Sequence, residues 1–490
     1  MSSIASSPTR TVGPGRPRLW QNLWVRFAVA LAFADASIVV LALPQIVDRL
    51  HTSIDHSTWV IMAYNLALIV TSALVATVGR RLRSAQTLVG GLVLFGAASI
   101  GCGASGSVGL LVALRCVQGV GGALVLASSL PLFAGAARPG DSPLHGWSAA
   151  AAVGAALGPA AGGVLTQLFD WRSIFYAQAP FAAIAAVAVL LVRHETRGEM
   201  AAEADRPAFD LGPLSANLAL LLLSGALIGA LLLVTIELIH AWVLTPIATA
   251  AVVSVIPLST ALTERLVRGR STVGLGVTGA ILLAAGLIGL GFIAFREVGL
   301  VVVALVACGA GLGLAYPGLT AVALESGGTS SARAAKTVAA RDLGLVVGLL
   351  VLTPVFSTRL NAVTSDQTPE HKALAALIAS PLPGATKLAL GVRLEAALAS
   401  AGQTNVPNVR PAFDQTAQTA TPAVRLQLAV LERQMVGFVH EAQRKLTRAF
   451  RRPFLYAAIF ALAVLPVLAL GVFQRRRGGF AERPRPAASA

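Results

Sequence analysis

Two residues of opposite charge stand inside long apolar runs. Asp35 opens the stretch Asp35 to Ile46, which reads DASIVVLALPQI, and Arg115 opens Arg115-Cys116-Val117-Gln118-Gly119-Val120-Gly121-Gly122-Ala123. A charge at the middle of a membrane costs about 3 kcal/mol on translocon scales, so each must face a partner or a wet cavity. Asp35 lies roughly ten residues, or 15 Å, from the start of its run, and Arg115 roughly eight residues, or 12 Å, from the opposite end of its own, so the two share nearly one depth. Arg cannot give up its proton and needs a carboxylate or several acceptors beside it. Desolvation favours the neutral form of a carboxyl and a nearby cation favours its charged form, so such a pair in a cavity that opens and closes has the chemistry of a proton switch. The blander alternative is a helix-packing carboxyl satisfied by its neighbours.

The elements that must position this pair follow from composition. Of 490 residues 56% are hydrophobic and 12% charged, against about 25% charged in a soluble domain. Apolar runs of about 18 to 25 residues recur, each long enough to cross roughly 30 Å of hydrocarbon. They place twelve spans near 27–47, 58–78, 86–103, 108–128, 147–168, 173–192, 214–238, 243–262, 273–294, 298–320, 342–358 and 453–473. The expected fold is an all-α integral membrane protein of two six-helix bundles.

A net charge of +16 invites a nucleic-acid reading, but the basic residues fall in short runs between spans, where they set orientation instead. With the N-terminus inside, the short inner segments hold 22 Lys and Arg, and the short outer loops hold only Arg49, Arg172 and Arg296. Both termini are therefore expected in the cytoplasm. The basic N-terminal tail precedes an apolar run with no small-residue cleavage site, which favours a retained span over a signal peptide. Cys102, Cys116 and Cys308 are dispersed in apolar runs and suggest neither disulfides nor metal.

The expected division is a cytoplasmic tail 1–26, a first bundle 27–192, a polar cytoplasmic linker 193–211, a second bundle 212–473 and a basic tail 474–490. Residues 359–452 form a long outer segment before the last span, broken by Pro369, Pro381, Pro383, Pro407 and Pro411 into short helices. Within it Leu428, Leu431, Met435, Phe438 and Val439 recur at helical spacing, suiting a helix that rests on the bundle or the membrane surface. The cluster Arg444, Lys445, Arg448, Arg451 and Arg452 opposes the charge rule, which long loops largely escape, or it contacts anionic lipid head groups.

Three glycines after Arg115 allow close helix approach, and in span five Gly154, Gly158 and Gly162 follow at four-residue steps with Pro159 and Gly163 alongside. The string GAALGPAAGG is far more specific than a lone small-xxx-small pattern. With it, DASIVVLALPQI, WVIMAYNLA at 59–67, RCVQGVGGA at 115–123 and WRSIFYAQAP at 171–180 resemble the drug:proton antiporters of the major facilitator superfamily. The branch is usually drawn with fourteen helices. Fainter likeness continues in YPGLTAVAL at 316–324 and ARDLGLVVGLL at 340–350.

The resemblance implies that Asp35 couples to protons and that Arg115 supports it. By the same likeness Gly119, Gly154, Gly158, Pro159, Gly162 and Gly163 serve gating and helix packing, and Gly79, Arg80 and Arg81 form a basic loop at the inner gate. Two positions depart from the pattern: Ala76 stands where that loop normally has an acid, and Val40 where the branch has an amide. Basic turns after spans two (GRRLRS) and eight (TERLVRGRS) echo each other, as in transporters built from repeats. The expected function is export of a lipophilic small molecule in exchange for protons across a bacterial inner membrane. Charges buried only at Asp35 and Arg115, in an otherwise apolar interior, suit such a substrate better than a sugar. Membrane lipids are expected partners, and no cofactor, metal or nucleic acid is. A scaffold or sensor that kept the fold and lost coupling is the alternative. Neither a phosphate loop nor a cluster of His, Cys or carboxylates supports an ATP-driven pump or an enzyme.

Overall fold

Lipid offers a backbone no hydrogen-bond partners, so apolar runs of this length must satisfy themselves as helices. The computed structural model describes residues 16–78, 84–136, 143–191, 211–267, 273–324, 331–364, 368–401 and 408–481, and among them there is no strand. The first bundle comprises α1 (Arg16–Arg49), α2 (Ile54–Val78), α3 (Ser84–Ala104), α4 (Val108–Ala136), α5 (Pro143–Leu168) and α6 (Ser173–Leu191). The second comprises α7 (Leu211–Ile236), α8 (Pro246–Val253), α9 (Val255–Leu266), α10 (Val273–Phe292), α11 (Val298–Leu324), α12 (Ser331–Thr364), α17 (Arg451–Leu462) and α18 (Val464–Ala481). Between α12 and α17 stand α13 (Thr368–Ala379), α14 (Gly384–Ala401), α15 (Arg410–Gln418) and α16 (Pro422–Ala449). Gly79, Arg80, Arg81 and nearly all of the linker 193–211 lie outside the described residues.

Among the described residues, eleven stretches are long and apolar enough to cross a membrane. Helix α5 packs along α1 and α8 like its neighbours. Two spans are broken by proline. Pro257 and Pro466 have no N–H for the carbonyls four residues back, Val253 and Leu462, and those residues end α8 and α17. After α7 a π-turn, Glu237–Ala241, re-aims the chain into α8.

One continuous apolar core joins Ile38, Val60, Ile61 and Trp171 of the first bundle to Leu220, Ile236, Trp242 and Ile256 of the second. The bundles meet chiefly along α2 with α12 and α5 with α8. Outward faces carry exposed leucines such as Leu74, Leu190 and Leu266, as expected of helices solvated by lipid.

The stripe Leu428, Leu431 and Met435 of α16, whose spacing suits a surface helix, turns into a core other than that of the bundles, which α16 joins only further on, at Leu446. Leu428, Leu431 and Met435 close a separate small core with Leu377, Leu390 and Phe413, and Phe438 and Val439 border it. The four helices α13–α16 thus build a cap with an interior of its own. It docks through Trp242 Nε1, which donates to Thr447 Oγ1 at 3.1 Å, and through the stacked Phe356 and Phe450 rings, 4.7 Å apart.

Candidate functional site

Packing of four helices around α4 gathers the polar side chains of the first bundle into one buried network. The glycines after Arg115 admit two neighbouring helices, α2 at Gly119 and Gly122 and α3 at Gly121. A methyl built on Gly119 would strike the Tyr64 carbonyl oxygen of α2, one on Gly121 would lie 2.6 Å from the Phe95 nitrogen of α3, and one on Gly122 would sit 2.5 Å from Tyr64 Oη. That close approach brings Asp35, Arg115 and their surroundings together with no exposure to solvent.

Arg115 Nη1 donates to Asp35 Oδ2 at 2.6 Å and to Gln118 Oε1 at 2.6 Å. Its Nε donates to the Val60 carbonyl at 3.0 Å, while Nη2 is buried with no partner. The guanidinium lies over the Tyr64 ring at 4.4 Å and near Phe175 at 5.8 Å, contacts that suit a desolvated cation. The expected pairing of Asp35 with Arg115 is thus present in the geometry.

Gln118, inconspicuous within the string RCVQGVGGA, stands at the centre of the network. Its Nε2 reaches Ser99 Oγ at 2.8 Å, Gln178 Oε1 at 2.8 Å and Asp35 Oδ1 at 3.3 Å. An amide nitrogen has two hydrogens for these three acceptors, so one acceptor is always underserved. Ser99 and Gln178, from α3 and α6, carry no sequence signal beyond being polar in apolar runs; Gln118 has one, its three-residue spacing from Arg115 on a shared helix face. Gln178 Nε2 is buried without a partner.

The glycines of α5 divide between two neighbours. A methyl on Gly154 would strike the Ala30 carbonyl, one on Gly158 would strike Ser37 Oγ and lie 2.7 Å from the Ala34 oxygen, and one on Gly162 would lie 2.7 Å from the Ile38 oxygen. All three contacts belong to α1, the helix that carries Asp35. Gly163 alone faces the second bundle, where a methyl would strike Ala250 Cβ of α8 and lie 2.7 Å from the Pro246 oxygen. Pro159 is buried between them, Gln45 Nε2 ties α1 to the Thr166 carbonyl at 2.8 Å, and Gln167 Oε1 accepts from the Ile247 amide at 2.9 Å.

The interior is less apolar than its sequence suggests. Two further carboxyls are buried, Asp342 at 8% exposure and Glu237 at 6%. The spans at 342–358 and 214–238 put both residues at a span end. Helix α12 in fact begins at Ser331 and the helical path of α7 runs on through the π-turn, so both carboxyls fall within the protein. Among the described residues no group of three or more His, Cys, Asp or Glu is placed to hold a metal.

A family model described as the Major Facilitator Superfamily matches residues 26–379. The tetracenomycin C resistance and export protein of Streptomyces glaucescens is 33% identical over 229 residues, 46% of this chain and 40% of that protein. The lincomycin resistance protein of Streptomyces lincolnensis is 34% identical over 203 residues, 39% of this chain and 41% of that one. These alignments span about two fifths of each relative's length. Among solved structures, a bacterial homologue of the human lysosomal transporter Spinster, inward-facing and occupied, aligns with TM-score 0.65 at 14% identity, covering 97% of this chain and 100% of that one. Such a likeness speaks for the fold alone. The matched residues include both bundles up to α13, and the chain belongs to the Major Facilitator Superfamily.

Proposed function

We propose that this chain is a secondary active transporter that exports small lipophilic compounds, drug-like or lipid-like, in exchange for protons. The observation that carries the reading is the fully buried Asp35–Arg115 pair with Gln118 bridging it. A proton arriving on Asp35 removes its attraction for Arg115 but does not strand the cation. Arg115 keeps Gln118 Oε1, the Val60 carbonyl and the face of Tyr64. Gln118 already reaches more acceptors than it has hydrogens, so it can shift from Asp35 towards Ser99 and Gln178 as the charge changes. The network therefore accommodates both protonation states, as a proton-exchanging site must. Relatives named for tetracenomycin C export and lincomycin resistance support the compound class.

In this reading α2 with α12 and α5 with α8 are the surfaces along which the bundles rock to give access from either side. The bundles are 27–192 and 212–473, joined by the linker 193–211; the tails 1–26 and 474–490 are cytoplasmic and the cap stands outside. Gly154, Gly158 and Gly162 hold α1, and with it Asp35, in register with α5, while Gly163 lets α5 slide on α8. Gly79, Arg80 and Arg81 form the inner-gate loop.

The test is substrate-induced proton movement in proteoliposomes with an imposed pH gradient. Asp35→Asn should bind substrate but fail to move it against its own gradient, Asp35→Glu should keep partial activity, and Arg115→Ala should stall. Unchanged proton-driven transport by Asp35→Asn would overturn the mechanism.

A further inference from the structure

Where the cap meets the rim of the second bundle, a group of arginines has no counter-charge. Helix α16 passes into α17 through Phe450, itself helical, and the Phe454 amide donates to the Phe450 carbonyl at 3.1 Å. Arg444, Arg448, Arg451 and Arg452 are all exposed along this path. At helical spacing they share one side of it, within about a hundred degrees. The other side buries Leu446, Phe450 and Phe454 in the bundle core. Glu441, the nearest carboxylate in the sequence, is taken by Lys372 at 3.3 Å and Lys445 at 3.9 Å. Among the described residues no ion pair reaches any of the four arginines.

The same side turns apolar within one further turn. Tyr456 is 45% exposed and Ile459 57%, and Phe292 at the end of α10 is 57% exposed. Exposed carbon on a membrane helix is solvated by acyl chains, so the arginines stand where hydrocarbon gives way to water. From Arg448 to Arg452 the helix rises roughly 6 Å, about the depth of one head-group layer. Arg451 is held at this level: its guanidinium lies over the Phe292 ring at 4.0 Å. A methyl on Gly291 would lie 3.3 Å from the Arg451 carbonyl oxygen, so α10 and α17 meet here. A guanidinium presents a planar fork of donors that matches two phosphate oxygens at once. Three of them without a carboxylate favour a head group of net negative charge over a zwitterion.

We propose that Arg448, Arg451 and Arg452 form a head-group site for an anionic phospholipid in the leaflet on the cap side. The phosphodiester sits on the guanidiniums and the acyl chains lie along Phe292, Tyr456 and Ile459. The cluster opposes the charge rule because it holds a ligand and does not set orientation. The continuity of arginine with exposed aromatic and aliphatic carbon selects a lipid over a soluble acidic partner, which would leave that carbon uncovered. The site is independent of the transporter reading, since none of its residues belongs to the Asp35–Arg115 network.

The experiment is thermal unfolding of the purified full chain in an uncharged detergent, titrated with palmitoyl-oleoyl phosphatidylglycerol or with phosphatidylcholine of the same chains. Lipid that binds only the folded state raises the midpoint, and half of the full rise should need about tenfold less phosphatidylglycerol than phosphatidylcholine. The double variant Arg448→Gln, Arg452→Gln removes two exposed side chains that no ion pair engages. It should fold as wild type does and narrow that preference to within about twofold. Arg448→Lys with Arg452→Lys should keep part of it, because the charge stays and the fork is lost. Arg433→Gln, exposed on α16 about four turns away, should behave as wild type. Native mass spectrometry of the same proteins counts bound lipid without reference to melting: wild type should retain one phosphatidylglycerol and the double Gln variant none. Equal titrations of the two lipids in wild type, or an unchanged preference in the double Gln variant, would overturn the site. So would an equal loss in Arg433→Gln, which would reduce the effect to diffuse surface charge. Equal stabilisation by inorganic phosphate at matched concentration would also overturn it, as an anion site that needs no acyl chain.

Discussion

The contact of α1 with α5 offers the sharpest structural test, because its glycines meet different kinds of atom. At Gly154 an added methyl would strike the Ala30 carbonyl and lie 2.8 Å from both the carbonyl carbon and Cα of that residue, all backbone. At Gly158 the first obstacle is the hydroxyl of Ser37, a side chain, with the Ala34 oxygen at 2.7 Å behind it. At Gly90 on α3 nothing lies within 4 Å. Ordinary carbon to oxygen contact needs about 3.3 Å, so Gly154→Ala must push the helices apart by about an ångström, an overpacking cost of about 1–3 kcal/mol. Gly158→Ala should cost a similar amount, but Ser37→Ala removes the nearer obstacle and should return about 1 kcal/mol of it, a coupling absent from the Ser37→Ala, Gly154→Ala pair. Gly90→Ala should instead stabilise by about 0.5–1 kcal/mol, the usual gain of replacing glycine inside a helix. The assay is the midpoint of thermal unfolding in detergent for these single and double variants beside wild type. A Gly154→Ala protein that melts with wild type, or rescue of Gly154→Ala by Ser37→Ala, would refute the packing argument.

Three further outcomes are expected. Gln118→Leu should lower the melting midpoint and abolish proton movement together, since it strips partners from Arg115, Ser99 and Gln178 at once and each buried group left unpaired costs about 1–3 kcal/mol; wild-type proton coupling would remove Gln118 from the site. Trp242→Phe and Thr447→Val should each cost about 1 kcal/mol, and the double variant little more than either, because both delete the same bond between cap and bundle. Additive losses would count against that bond. Reporters near 200 and at the C-terminus should be cytoplasmic and a tag near 405 external, from the excess of basic residues in the short segments; cytoplasmic labelling of the 405 tag would overturn the count of twelve spans.

Much of this protein is legible in its amino-acid order alone. The apolar runs announce spans because lipid leaves the backbone no alternative to helix, and Asp35 and Arg115 stand out because a charge in such a run is too costly to be casual. Their shared depth follows from counting residues along two helices. The glycine spacing of α5 marks a face, but not that Gly154, Gly158 and Gly162 meet α1 while Gly163 meets α8.

What only the tertiary structure decided are relations between elements that no spacing along one chain encodes. Ser99, Gln118 and Gln178 are neutral polar residues, each tolerable alone in a membrane helix, and they become a network only where α3, α4 and α6 converge. Asp342 reads in the sequence as a residue at a span boundary, since hydropathy marks where a helix enters lipid and not where it begins. Proline inside a span is equally ambiguous: Pro257 and Pro466 break their helices, while Pro44, Pro131, Pro159, Pro180, Pro317 and Pro354 do not. The amphipathic stripe of α16 announces burial without naming the surface, and that surface is the cap itself. Period and hydropathy are properties of one helix, whereas a partner is chosen by the packing of all of them.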